Sequence, residues 1–435
     1  MQRLIPITSS AAVNAETAAA RTRGARLSRR ASRAAWSLIV IACVAALGLP
    51  SRAQAATVAP PALQQALDKL VSDGVPGVIA LQRQGGQQRH AASGVADLET
   101  QEPIRATNRF RIGSITKSFV STVVLQLADE RRLTLDDTVE RWLPGVVPNG
   151  GAITVRQLLN HTSGLYSYTD LPFYLQLLRE PLRTWQPLQL VQLAVAHPPL
   201  FAPGTSWSYS NTNYILLGLI IAAVDRVPAP LQMASPAFEV YRRIIGPRRL
   251  WHTSFPLTDP DIRGQHAHGY IIDPPPELGL PAIVDTTRFN PSWAWTAGAI
   301  ISTLDDVADF HRALFTGRML DPDQQRDLES TVPTELGSGV EYGLGVIKLQ
   351  MPCGTAWGHD GGTPSHASIS LTSPDGARQA ALMLTRESNT WTERITTDYA
   401  NAVVTAFCGQ TPPLAAAQRL AATMTSALPS LQRPR

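Results

Sequence analysis

Strand-like sequence stands at both ends of this chain and helical sequence fills the middle, and that distribution limits the fold more than any other feature. Residues 75–84 read as a strand, Gly85-Gly86 marks a two-residue hairpin turn, and 89–95 return antiparallel. Strand character resumes at 296–303, 342–351, 356–359, 367–372 and 379–384, with Pro374-Asp375-Gly376 as a turn. Between the two groups, residues 131–285 are rich in helical patterns and Pro-containing loops. One antiparallel sheet would then be closed by segments distant in sequence, with the middle inserted as an all-helical lobe. Helices expected at 60–72, 305–315 and 392–407 would flank the sheet, an α+β arrangement.

The helix expected over 114–130 carries Ile115, Phe119, Val123 and Leu127 at four-residue steps, which gives it a buried face. Inside it stands Lys117, one of three Lys (69, 117, 348) in a chain with 35 Arg. Arg serves here wherever a plain positive charge is needed, so a Lys kept in an apolar helix calls for a reason. Lys gives up its proton when desolvated, and Arg does not. Ser114 lies three residues earlier, on the same helix face. A neutral amine there would take the proton of the hydroxyl and activate it as a nucleophile. Taken alone, Ser-x-x-Lys is also what a capping serine and a surface lysine would look like.

Two further clusters suit the same chemistry. Tyr209-Ser210-Asn211 precedes a strongly apolar helix over 214–224. A phenol beside a cation can hand a proton to a leaving group, and the Asn amide can hold a substrate amide and Lys117. Gly358-His359-Asp360-Gly361-Gly362 offers a strand edge that a substrate backbone can approach closely. The bland alternatives are a loop Tyr packed on Trp207 and a glycine-rich hairpin. A metal held by His359 and Asp360 lacks a third ligand nearby.

Charge and leader bound the partners. The chain of 435 residues has a formal charge of +4, but the first 55 residues hold eight Arg and one acid, Glu16. The remainder has 30 basic against 33 acidic residues, so no basic stripe is left for nucleic acid. Residues 21–33 are basic, 36–49 form an apolar run, and Ala53-Gln54-Ala55 offers a small-x-small cleavage site. Residues 1–55 therefore read as a signal peptide, the run being short of the roughly 20 residues a membrane span needs. A lipoprotein box at Val40-Ile41-Ala42-Cys43 and a twin-Arg signal at Arg29-Arg30 are rival routes. After cleavage only Cys353 and Cys408 remain. An oxidising compartment favours a disulfide, and closing that loop would contribute roughly 4 kcal/mol. Two separate buried thiols are the alternative. Residues 413–435, biased to Ala, Pro and Ser, are expected to be a disordered tail after a domain over 56–412.

The ordered trio Ser114-Ile115-Thr116-Lys117, Tyr209-Ser210-Asn211 and His359-Asp360-Gly361, spaced by about 95 and 150 residues, resembles the penicillin-recognising serine enzymes. These are the D-alanyl-D-alanine carboxypeptidases, class C beta-lactamases and related esterases. Residues 158–165 and 297–303 also resemble family signatures, and the likeness covers roughly 60–410. The stretch from Tyr342 through Gly409 is similar to exported actinobacterial carboxypeptidases, which share the two Cys. The resemblance implies a beta-lactamase/transpeptidase-like fold, no cofactor and no metal. It implies Ser114 as acylated nucleophile, Lys117 as its base and Tyr209 as proton relay. Asn211, His359, Gly361 and Gly362 would bind substrate, with His359 supporting Tyr209. The N–H groups of Ser114 and Gly362 would form the oxyanion hole, and the His161 segment would be a structural loop. Small-molecule or peptide substrates and beta-lactams are the partners implied, with no nucleic acid and no lasting membrane span.

The sequence departs from the family at one place. Carboxypeptidases carry hydroxyl residues for the substrate's terminal carboxylate where this chain has Asp360 and Gly362. An Arg often helps from the preceding strand, which here reads Val346-Ile347-Lys348-Leu349. Asp360 would repel a carboxylate unless Lys348 or another cation compensates. The expected activity is thus an exported, carboxypeptidase-like serine hydrolase working through an acyl-enzyme. An esterase, a D-amino-acid amidase or aminopeptidase, and a class C-like beta-lactamase are alternatives on the same machinery. A non-catalytic penicillin-binding module would have lost one of Ser114, Lys117 and Tyr209.

Overall fold

The computed structural model describes residues 60–427 except 275, 277, 278 and 338, so the expected leader over 1–55 lies outside the described residues. Twelve strands form three sheets. In chain order they are β1 (Gly77–Gln84), β2 (Gln87–Gly94), β3 (Phe110–Arg111), β4 (Tyr270–Ile272), β5 (Ile283–Asp285) and β6 (Ile301–Ser302). Then follow β7 (Val332–Pro333), β8 (Val340–Tyr342), β9 (Ile347–Met351), β10 (Gly354–Gly362), β11 (Ala367–Thr372) and β12 (Arg378–Leu384). The main sheet has eight strands in the order β2-β1-β12-β11-β10-β9-β8-β7, antiparallel throughout. The N-terminal hairpin pairs with the last strand, Val78 opposite Leu384, so distant ends of the chain close the sheet as expected. Gly85 and Gly86 both have positive φ, which a two-residue turn of this hand requires.

Both sheet faces are covered, which is why β1 and β12 are apolar almost without interruption. Ile79, Leu81, Ala381 and Met383 face the interior with Phe119 and Phe310, whose rings stack at 3.7 Å. Val78, Ala80, Ala380 and Leu382 face the opposite way, against Leu63, Leu67 and Leu70 of the helix Pro61–Ser72 and Val403 and Phe407 of Glu393–Cys408. Cys353 and Cys408 form a disulfide that ties this last helix to the β9–β10 turn.

The helix Thr116–Asp129 is buried nearly all round and sits between the sheet and the helical lobe. A buried polar group needs a partner, and the buried hydroxyls of this helix have theirs. Ser118 donates to the Gly345 carbonyl (2.9 Å), Ser121 meets the Tyr214 hydroxyl (3.0 Å) and Thr122 donates to Ser118 (2.8 Å). Gly345 has φ +80°, and a Cβ there would lie 2.0 Å from Ser121 Oγ. This close approach breaks the strand expected over 342–351 into β8 and β9.

Three other expectations need correction. Residues 296–303 are not a continuous strand: Trp295–Gly298 is a single helical turn before the two-residue β6. The lobe over 131–285 is mostly helical but also holds the β4–β5 hairpin. The tail expected to be disordered contains the helix Leu414–Ala427, whose Leu420 and Ala421 pack on the outer cluster. Its Ala-rich run carries the best helix propensity available, and once one stripe finds a surface that propensity prevails over a compositional bias.

Candidate active site

Ser114 lies in the single 3-10 turn Gly113–Ile115 that leads into the buried helix. Gly113 has φ +53°, and a Cβ on it would fall 2.7 Å from the Gly362 nitrogen. A Cβ on Gly361 would fall 1.9 Å from the Ile112 carbonyl. Only paired glycines let the nucleophile turn press this closely on the end of β10. The contact sets the backbone at Ser114 beside the Gly362 amide, the placement a two-donor oxyanion hole requires. Gly361→Ala must therefore push the strand from the turn. We expect a loss of about a hundredfold or more in kcat, the scale of a lost oxyanion donor. Steady-state ester hydrolysis measures it, and an unchanged rate would contradict this packing.

Lys117 is fully buried, and its Nζ lies 2.9 Å from Ser114 Oγ, 2.7 Å from Asn211 Oδ1 and 2.7 Å from the Ala297 carbonyl oxygen. Burial holds its pKa well below the ordinary lysine value, opposed in part by the charge of Asp360. A neutral amine has two N–H groups and one lone pair. Asn211 Oδ1 and the Ala297 carbonyl can only accept, so they take both N–H groups. The lone pair is left for the Ser114 hydroxyl, which then donates to Nζ. A neutral Lys117 thus has its lone pair aimed at Ser114 Oγ. Asn211 is fixed in turn by donating Nδ2 to Thr169 Oγ1 at 2.9 Å. It opens the helix Asn211–Val224, one turn earlier than the apolar run suggested.

The Tyr209 ring lies 4.9 Å from Lys117 Nζ. Burial, and then the charge of Asp360, push its phenol well above the ordinary range, while hydrogen bonding with Ser114 pulls the other way. No contact of the Tyr209 hydroxyl meets strict hydrogen-bond geometry, so that interaction with Ser114 is a loose one in the resting site. The hydroxyl is buried and has no firm partner.

His359 does not hold Tyr209 as expected; its Nε2 lies 2.8 Å from the Tyr342 hydroxyl, and His359 itself is fully buried. Tyr342 in turn meets His161 Nε2 at 3.3 Å, and the His161 ring lies 4.3 Å from that of Tyr209. Hydrogen-bond direction assigns the tautomers. Ser210 N–H donates to His161 Nδ1 at 3.1 Å, so His161 carries its proton on Nε2 and donates to Tyr342. The Tyr342 hydroxyl then donates to His359 Nε2, and His359 Nδ1 donates to the Asp360 carbonyl at 2.6 Å. Burial and the neighbouring Lys117 and His359 keep the His161 pKa far below its ordinary value, which suits this neutral relay. The His161 loop packs on the Tyr209 loop, which it holds through the Ser210 N–H. Tyr342 and the Ala297 carbonyl had no signal in the sequence.

Ser114, Asn211 and Gly362 open into a pocket of roughly 620 Å³ of empty space, partly open to solvent. Tyr168, Phe173, Tyr174 and Trp293 give it aromatic walls. His359 and Gly361, expected to touch substrate, do not line it; the one is covered by Tyr342 and the other packs on Ile112.

A buried serine–lysine pair beside a tyrosine, at the edge of an antiparallel sheet capped by a helical lobe, is the arrangement of the beta-lactamase and penicillin-binding fold. The chain belongs to the beta-lactamase family, whose profile, described as Beta-lactamase, matches residues 62–405. It is similar to penicillin-binding protein 4* of Bacillus subtilis, 26% identical over 313 residues, covering 69% of this chain and 66% of that one. PbpX, a putative penicillin-binding protein of the same organism, is 27% identical over 278 residues, 62% of each chain. The chain thus spans two thirds or less of the length of these curated relatives. Among solved structures, a D-stereospecific amidohydrolase from Streptomyces sp. is 37% identical with a TM-score of 0.71, covering 80% of this chain and 99% of that one. A D-amino acid amidase from Ochrobactrum anthropi complexed with D-phenylalanine is 26% identical with a TM-score of 0.67, covering 79% and 97%.

Proposed function

We propose that this chain is an exported acyl-transferring hydrolase of D-aminoacyl amides and peptides whose leaving group carries no carboxylate beside the scissile bond. The carrying observation is Asp360. Its carboxylate, largely buried and outside the pocket lining, acts by its charge on Lys117 and Tyr209. Lys348, the cation expected to neutralise it, instead pairs with Glu341 at 3.0 Å. A substrate carboxylate brought near Asp360, whose Oδ1 lies 3.3 Å from His359 Nδ1, meets a like charge, which costs binding. The likeness to the Streptomyces amidohydrolase supports the same direction. Export rests on the leader read at 1–55; among the described residues no helix is long and apolar enough to cross a membrane.

In this reading Ser114 Oγ attacks the amide carbon while its proton passes to Lys117. The oxyanion is held by the N–H groups of Ser114 and Gly362. The C–N bond breaks as Tyr209 delivers a proton to the leaving nitrogen, and the amine departs. Lys117 passes its proton on to Tyr209; water then attacks the ester carbon as Lys117 takes its proton, and the bond to Ser114 Oγ breaks as that proton returns to Oγ, releasing the acid.

A second reading, D-alanyl-D-alanine carboxypeptidase, is favoured by the likeness to penicillin-binding protein 4*. Two peptides separate the readings, both ending in D-Ala-D-Ala, one with a free carboxylate and one amidated. We expect kcat/KM to favour the amidated peptide by about a hundredfold, and Asp360→Asn to narrow that gap about tenfold, or roughly 1.4 kcal/mol. Preference for the free carboxylate would restore the carboxypeptidase reading.

A further inference from the structure

Glu387 lines the same pocket as Ser114. It follows β12 on the loop to the helix Glu393–Cys408, and it is 2% exposed. Its Oε1 accepts from Asn389 Nδ2, the backbone N–H groups of Asn389 and Thr390 lie beside the carboxyl and oppose the effect of burial, and Oε2 has no partner of good hydrogen-bond geometry. The neighbouring Arg386 does not pair with it; that guanidinium donates to the Gly74 carbonyl (3.2 Å) and the Thr390 carbonyl (2.7 Å). A carboxyl group withdrawn from water with one oxygen unbonded is costly, and natural folds keep such a group where a ligand completes it.

We propose that Glu387 is a specificity residue that binds a primary ammonium group of the substrate in the pocket beside Ser114. The chemistry around it fits. Tyr168, Phe173, Tyr174 and Trp293 make the rest of the pocket aromatic, and aromatic faces tolerate a cation as they would not a carboxylate. Burial raises the Glu387 pKa to about 8, so the empty pocket holds a poised acid rather than a fixed charge. An arriving ammonium stabilises the carboxylate and supplies Oε2 with its missing donor. The inference deepens the aminoacyl reading above, since an ammonium is what that substrate class carries and a simple ester lacks. Asp360 would deter a carboxylate on the leaving side, and Glu387 selects a cation in the pocket.

Binding without turnover tests Glu387 independently of that reading. Calorimetric titration compares benzylamine with its neutral isostere benzyl alcohol. We expect the wild type to bind benzylamine at least tenfold more tightly. Glu387→Gln, an isostere of the protonated acid, should abolish that preference, and Glu387→Asp should keep part of it. A purely structural Glu387 would leave the preference unaltered in Glu387→Gln, and that result overturns the proposal. Where an ammonium sits is read from kcat/KM on D-norleucine amide and on α-N-acetyl-D-lysine amide. Dependence on Glu387 confined to the first places the α-ammonium there, and dependence confined to the second places the side-chain ammonium there. If neither amide is hydrolysed, the aminoacyl reading fails while the benzylamine result still decides the role of Glu387. Circular dichroism confirms that each variant is folded.

Discussion

Ser114→Ala is expected to lower kcat by at least about ten-thousandfold while the protein stays folded, the scale set by nucleophile removal in serine hydrolases. Thr169, Tyr168, Tyr174, Thr363 and Ser388 also bring hydroxyls to the pocket. None of them is bonded to Lys117, whose three neighbours are Ser114, Asn211 and Ala297. No other hydroxyl therefore has a base, and an unactivated alcohol at neutral pH is a poor nucleophile. The cost to the fold is small because Lys117 keeps two of its three contacts. One hydrogen bond is worth roughly 1 kcal/mol, so the melting temperature should fall by only a few degrees. Steady-state hydrolysis of a p-nitrophenyl ester gives the rate. Intact mass after mixing with a fluorophosphonate, which carries no carboxylate, gives the modified residue, with an adduct expected on the wild type alone. Turnover or an adduct in a pure Ser114→Ala sample would remove Ser114 from the mechanism.

The parts of this site that were legible in the sequence are those carried by side-chain type at local spacing. Ser114 and Lys117 share a helix face whatever the rest of the chain does, and Phe119, Val123 and Leu127 required that helix to be buried. The paired glycines at 85 and 86 sufficed for the hairpin. Gly361 and Gly362 marked a close approach, though not that Ile112 and Gly113 are what approaches. What stayed hidden is of two kinds. The Ala297 carbonyl is a backbone group, which every residue possesses, so no residue type announces it; it reaches Lys117 only because Trp295–Gly298 turns as a helix where β-branched residues suggested a strand. Tyr342 and Glu387 are brought in by the sheet. Tyr342 meets His359 because β8 and β10 flank β9, and Glu387 reaches the pocket only once β12 has closed against β1. Such contacts depend on strand register, across the two β9 hairpins for Tyr342 and between the distant β1 and β12 for Glu387, which local pattern does not carry. The expected bond from His359 to Tyr209 failed for that reason: Tyr342 stands between the relay and the loop it supports, and His161 completes the span.

Lys117→Arg separates a base from a mere positive charge. Arg would keep a cation beside Ser114, but its guanidinium has no lone pair to offer and does not lose its proton in proteins. If Lys117 acts by charge, Arg should retain much of the rate. If it acts as the neutral base its surroundings select, kcat should fall about a thousandfold or more, near the upper range of general-base contributions. The pH profile gives the second reading. Burial depresses the lysine pKa, so the active neutral form is gained as pH rises through that depressed value. Wild-type kcat/KM should climb on the acid side and then level off below the pH at which an ordinary lysine titrates, and Lys117→Arg should lack that limb. Stability follows with its own sign. Between the depressed folded pKa and the unfolded value of about 10.5, the unfolded chain binds a proton that the folded chain does not. Wild-type stability must therefore rise with pH across that window relative to Lys117→Met, which cannot titrate. Chemical denaturation of both proteins at pH 7 and pH 9.5 measures the difference. A gap that stays constant, together with an active Lys117→Arg, would mean that the lysine is charged in the resting site and that Ser114 has another base.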